Sequence, residues 1–193
     1  MKYIIDTDIG DDIDDAFALD LALKQGVDLV CVTTVFRNTR ERAQIAKRMC
    51  GLFGADVPVY AGYGDTLNGG MATNVRLCQW TPELEGYAPD NSEAEEAVDA
   101  ILNAARRYGQ GLTVLALGPL TNIARAIEKD AAAMRSIGGI VMMGGDFRNH
   151  YAEWNICCDV EAASLVFSSG VSVTAFGHEV TSRMRLTHEE QAY

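Results

Sequence analysis

Short apolar runs recur along the chain, each followed by a polar or glycine-containing turn and then by a segment whose apolar positions have helical spacing. Tyr3–Ile5, Leu29–Phe36, Val57–Tyr60, Leu112–Leu117, Gly139–Met143 and Val171–Phe176 read as strands. Asp14–Gln25, Thr39–Phe53, Ser92–Tyr108, Pro119–Lys129 and Asp159–Ser168 read as the intervening helices. Ser92 and Glu95 have capping-box spacing, and Pro119 suits a first helical turn, where its missing N–H leaves nothing unsatisfied. The apolar pairs Phe17/Leu21 and Leu165/Val166 are expected in the core. Alternation of this kind predicts an α/β fold with a mostly parallel central sheet flanked by helices. No linker or repeat divides the chain, so residues 1–193 are expected to form one α/β domain. Residues Gly62–Asn91 are rich in turn formers and show no period, which marks a long surface excursion.

In a parallel α/β sheet, ligands bind beyond the carboxyl ends of the strands. Applied to these strands, the rule selects Asp6–Asp15, Arg37-Asn38, Leu117-Gly118 and Gly144–Asn155 as the walls of one crevice.

Charge sharpens that picture. The 193 residues are 48% hydrophobic and 22% charged, with a formal net charge of −11. Such acidity, without a Lys/Arg stripe, argues against nucleic acid or anionic lipid as partner. Asp6, Asp8, Asp11, Asp12, Asp14 and Asp15 supply more than half of the imbalance from one decapeptide. Carboxylates at a helix start are favoured by the helix dipole, but six together need a counter-ion, and an all-oxygen set suits Ca²⁺ or Mg²⁺. An EF-hand is excluded, because its loop needs Gly sixth and Glu twelfth, where this run has Asp11 and Phe17. A haloacid dehalogenase-type phosphatase also places DxD after a first strand, but Ile9-Gly10 stands where that motif continues into Thr. Five cysteines without CxxC spacing predict packed, reduced thiols. The N-terminal apolar run is too short for a signal peptide and no stretch has transmembrane length, so a cytoplasmic, membrane-free protein is expected.

The ordered segments together resemble the inosine-uridine-preferring nucleoside hydrolase family. Asp6-Thr7-Asp8-Ile9-Gly10 followed by Asp14-Asp15-Ala16 looks like its signature. Thr33-Thr34-Val35-Phe36-Arg37-Asn38 resembles TTVxGN, Pro58-Val59-Tyr60-Ala61-Gly62 resembles PVxxG, and Gly118-Pro119-Leu120-Thr121-Asn122 resembles GPLTN. Met143-Gly144-Gly145 and Ala152-Glu153-Trp154-Asn155, with Asp159 and Glu161-Ala162-Ala163 beyond, complete the series.

That resemblance implies a Ca²⁺-dependent cleavage of the N-glycosidic bond of ribonucleosides, releasing a base and ribose, or a non-catalytic calcium- and ribose-binding relative. It implies Asp8, Asp15 and the backbone carbonyl of Leu117 as metal ligands, with Asp12 a further candidate. Asp14 matches the general base, although the loop is longer than the commonest pattern and Asp12 competes for that place. Asn38, Met143, Glu153 and Asn155 match positions that hold the ribose. A small-molecule nucleoside partner and a homo-oligomer are implied too, as is a further C-terminal part carrying another metal-binding Asp and, in many members, a His. Simpler roles stand beside these: Asn38 and Asp159 as helix caps, Glu153 and Asn155 as loop residues, and His150, His178 and His188 as surface histidines. Two further features depart from the pattern. Arg37 stands where the family has Gly, and the nucleobase-side motif is unrecognisable in Gly62–Asn91, where Gln79 and Trp80 are candidates to meet a base.

Overall fold

The computed structural model describes residues 1–70, 76–185 and 187. Six strands, β1 (Lys2–Thr7), β2 (Leu29–Thr34), β3 (Val59–Ala61), β4 (Leu112–Ala116), β5 (Gly139–Met143) and β6 (Val173–Phe176), form one sheet in the order β3-β2-β1-β4-β5-β6. Every neighbouring pair is parallel. Eight α-helices accompany them among the described residues: α1 (Asp14–Lys24), α2 (Thr39–Leu52), α3 (Ala94–Tyr108), α4 (Thr121–Lys129), α5 (Ala131–Arg135), α6 (Trp154–Cys158), α7 (Val160–Ser168) and α8 (His178–Thr181).

Adjacent strand residues point to opposite sheet faces, so a strand covered on both sides is apolar throughout. Ile4 and Ile5 of β1 show this: Ile4 enters a core with α3, α4 and α7, whereas Ile5 enters one with Leu19 of α1 and Ala43, Ile45 and Ala46 of α2. The sheet order reverses between β1 and β4, which places a topological switch point where those two strands end.

Several expected boundaries shift for local reasons. β2 stops at Thr34, since Phe36 and Arg37 take left-handed backbone (φ 71° and 57°). The capping box is made by Glu93 and Glu96 instead of Ser92 and Glu95, with Ser92 bonding the Glu96 carboxylate through N–H and hydroxyl. Pro119 lies ahead of α4, whose N-cap is Leu120. Phe17 and Leu21 are exposed on α1, and of the second pair Val166 is buried while Leu165 is partly so. Cys31 and Cys50 are buried thiols, but Cys78 and Cys157 are exposed. No helix of the described residues is long and apolar enough to cross a membrane.

Candidate active site

The first strand ends in a buried polar knot. Asp6 is fully buried, and its Oδ1 accepts from Thr33 Oγ1 (2.6 Å) and Asn122 Nδ2 (2.8 Å). Its Oδ2 is buried with no hydrogen-bond partner among the described residues. Burial pushes the Asp6 carboxyl up to about 7, against the pull of its two donors. Asn122 also donates to the Thr34 carbonyl (3.0 Å) and accepts from Tyr63 N–H (2.9 Å), tying β1, β2 and α4 together.

Two residues on, Asp8 is half-buried at the switch point. A Cβ on Gly118 would stand 2.7 Å from Asp8 Oδ1, so the glycine is what lets the end of β4 approach that carboxylate. Burial first, then repulsion from Asp15, holds Asp8 well above the usual carboxylate range. Burial also lifts Asp15 to about 6, although Thr7 Oγ1 donates to its Oδ1 at 2.7 Å. Asp14, in the first turn of α1, and Asp12 are exposed and lie near enough to add to that rise.

The loop between these carboxylates is held by a cation. Arg42 of α2 is wholly buried. Its Nη1 donates to the carbonyls of Asp8 and Ile9 (3.0 Å to the latter), its Nε to that of Phe36 (2.8 Å), and its Nη2 to Asp11 Oδ2 (2.8 Å). Gly10, with φ 129°, makes the turn, and Leu77 covers it.

Across the switch point, Asn155 Nδ2 donates to the carbonyls of Leu117 (2.8 Å) and Met143 (3.3 Å), aligning the ends of β4 and β5. Glu153 caps α6: Oε1 accepts from Asn155 N–H (2.8 Å), and Oε2 from Gly145 N–H (2.9 Å) and Ile156 N–H (3.1 Å). Both side chains are buried. Asn38 is 9% exposed at the N-cap of α2, yet its side chain makes no capping hydrogen bond, unlike a simple cap.

Comparison with known proteins follows the same line. The family described as inosine-uridine preferring nucleoside hydrolase matches residues 3–193. The chain belongs to this family. Uridine nucleosidase 1 of Arabidopsis thaliana is 34% identical over 98% of the chain and 60% of its own length. A plant nucleoside hydrolase, PpNRh1, superposes with a TM-score of 0.85 at 31% identity, over 97% of this chain and 63% of that one. A purine-preferring ribonucleoside hydrolase from Gardnerella vaginalis superposes with a TM-score of 0.81 at 28% identity, over 100% and 65%. The chain thus spans about 60% of the length of the relatives it matches.

Within this nucleoside hydrolase fold, Asp8, Asp15, Leu117, Met143, Glu153 and Asn155 collect at the ends of β1, β4 and β5, Asn38 follows β2, and Asp12 and Asp14 stay exposed. Among the described residues no group of three or more His, Cys, Asp or Glu forms a ready metal cluster. Trp80 Nε1 donates to Gln44 Oε1 (2.7 Å) and packs on the α1–α2 core, and Gln79 donates to the Asp12 carbonyl, so both are engaged by the protein. Asp159 caps α7 through Ala162 N–H (3.1 Å), as its simpler reading expects. His150 is exposed and His178 stacks on Tyr151 at 4.5 Å, while His188 lies outside the described residues. Arg42 escaped the sequence reading, and Thr33 and Asn122 entered it only as parts of motifs, without a role. The visible signal for Arg42 was its place three and four residues before Ile45 and Ala46, on the apolar stripe of α2.

Proposed function

We propose that the protein hydrolyses the N-glycosidic bond of ribonucleosides with the help of Ca²⁺, releasing a free base and ribose. The observation that carries this reading is the half-buried Asp8 against Gly118 at the switch point, with the half-buried Asp15 near enough for the two carboxylates to repel. These two enclosed carboxylates and the unpaired Asp6 Oδ2 offer oxygen donors of the kind a hard cation fits. Asp8, Asp15 and the Leu117 carbonyl would hold it, with Asp12 in reserve. When bound, calcium supplies orientation of a water and of the ribose diol and lowers the pKa of that water.

The chain's own groups do the rest. Asn38, Glu153 and Asn155 bind ribose hydroxyls, and Met143 lines the sugar pocket. Water adds to the anomeric carbon as the bond to the base nitrogen breaks, and the bonding electrons leave with the base. A carboxylate takes the proton lost by the water. Asp14 is the base implied by the signature, and it stands exposed in the first turn of α1. Asp12, exposed in the same loop, is the second candidate.

The protein incubated with inosine, uridine or adenosine is expected to release ribose from at least one, and to stop when a chelator is added. Absence of release from all three overturns the proposal. Nucleoside binding without turnover would instead identify the calcium- and ribose-binding relative.

A further inference from the structure

A second cavity, of about 280 Å³, opens beside the crevice and is lined by Arg37, Thr66, Gly70, Trp154, Cys157 and Cys158. It adjoins the site already described, because Cys158 lies close enough to feel the charges of Asp8, Arg37 and Glu153. One residue stands out in it. The Arg37 guanidinium lies over the Phe36 ring (4.7 Å), and Nε is buried without a hydrogen-bond partner among the described residues. In a chain with net charge −11, no carboxylate of the described residues pairs with this cation.

The backbone shows that Arg37 is held here at a cost. Phe36 and Arg37 are consecutive non-glycine residues in the left-handed region, at φ 71° and 57°. They are pinned by Phe36 N–H to the Tyr63 carbonyl (2.9 Å) and Arg37 N–H to the Gly64 carbonyl (2.7 Å). Gly64 permits this approach, since a Cβ there would meet the Arg37 carbonyl at 2.4 Å. The far wall is tethered too: Leu67 N–H donates to Asp159 Oδ2 (2.7 Å) and Arg125 to the Leu67 carbonyl (2.6 Å). Glycine, which the TTVxGN pattern carries at this position, would adopt that conformation without strain. An arginine accepted there, with a buried donor unsatisfied, has a partner to find.

We propose that this pocket takes an anionic substituent of the substrate, so that the protein prefers an acidic ribonucleoside over a neutral one. The inference rests on the hydrolase reading above, in which Asn38, Glu153 and Asn155 take the ribose hydroxyls beside the metal that Asp8 and Asp15 would hold. The anion is therefore a phosphate on the 5′ carbon or a carboxylate on the base, and either is matched by a guanidinium.

Titration calorimetry with calcium chloride present tests it, comparing uridine, uridine 5′-monophosphate and orotidine. The wild-type chain is expected to bind one of the two acidic ligands roughly tenfold or more tightly than uridine. Which one gains identifies phosphate or carboxylate as the anion. Arg37→Gly, which relieves the backbone strain, is expected to abolish the gain while uridine affinity stays within about threefold. Equal affinity for all three in the wild type, or a gain that survives Arg37→Gly, overturns the inference. Uridine binding without any gain leaves the hydrolase reading intact, whereas an acidic ligand bound without uridine overturns only the expectation of a neutral substrate.

Discussion

At Gly118 one missing methyl group decides how closely β4 approaches the Asp8 carboxylate. Gly118→Ala places a carbon 2.7 Å from Oδ1, and because the Gly118 backbone is not left-handed, the fold can survive while the carboxylate must swing away. We expect this variant to remain folded by circular dichroism but to lose at least tenfold in calcium affinity, measured by calorimetry; unchanged affinity would exclude Asp8 as a ligand. The base and the metal ligand separate on the same scale. Asp14→Asn is expected to lower turnover by at least about a hundredfold while keeping calcium-induced thermal stabilisation, because general-base groups contribute roughly 10²–10⁴. Asp8→Asn is expected to lose both. Full turnover in Asp14→Asn would transfer the base role to Asp12. The carboxylates themselves were legible, since six of them in ten residues have no ordinary structural use. Their inequality was not: which ones are enclosed depends on Thr7, Thr33, Asn122 and Arg42, brought in from four different elements.

Elements place those residues, and α2 does so through one side chain. Arg42 turns a helix that otherwise packs on β1 and β2 into the clamp of the acidic loop. Arg42→Met keeps most of the volume but strands the carbonyls of Asp8, Ile9 and Phe36. A loss of about 3 kcal/mol is expected, or roughly 6–12 °C in melting temperature for a chain of this length. A shift below 2 °C would show that water replaces the guanidinium. Asp159 plays the corresponding part at α7, accepting from Ala162 N–H, Thr121 Oγ1 (2.6 Å) and Leu67 N–H. Asp159→Ala is expected to speed amide exchange at Leu67 as well as in the first turn of α7, whereas a cap acting alone would change only the latter. All six strands were legible, because a strand buried on both faces reads as an unbroken apolar run. Short helices such as α5 and α6 were not, since five residues carry no full period. Phe17 and Leu21 misled for the opposite reason: their helical spacing is real, but the face they mark is not the one that meets the sheet.

For the molecule as a whole, topology and charge meet at one place. A sheet ordered β3-β2-β1-β4-β5-β6 opens its crevice where β1 and β4 diverge, and the acidic decapeptide begins there. In the calcium-free protein this is a liability, because burial raises both Asp8 and Asp15, with Asp15 adding to the first and the exposed Asp14 and Asp12 to the second. A carboxyl whose folded-state pKa is raised stabilises the fold only below its unfolded value and loses that contribution as pH climbs through the folded one. At pH 8 the enclosed pair therefore opposes folding. Asp15→Asn preserves an acceptor for Thr7 and removes the charge, so it is expected to stabilise the calcium-free chain by about 1–2 kcal/mol. The sign reverses when calcium is added. At a hundredfold excess over its dissociation constant a ligand stabilises by about 2.7 kcal/mol, which is roughly 5–11 °C for a protein of this size. Wild type should gain that shift and lose it to a chelator, whereas Asp15→Asn should gain almost nothing. A crossing of the two melting curves, mutant above wild type without calcium and below it with calcium, is the expected signature. If Asp15→Asn melts lower under both conditions, the carboxylate serves the fold and not a cation.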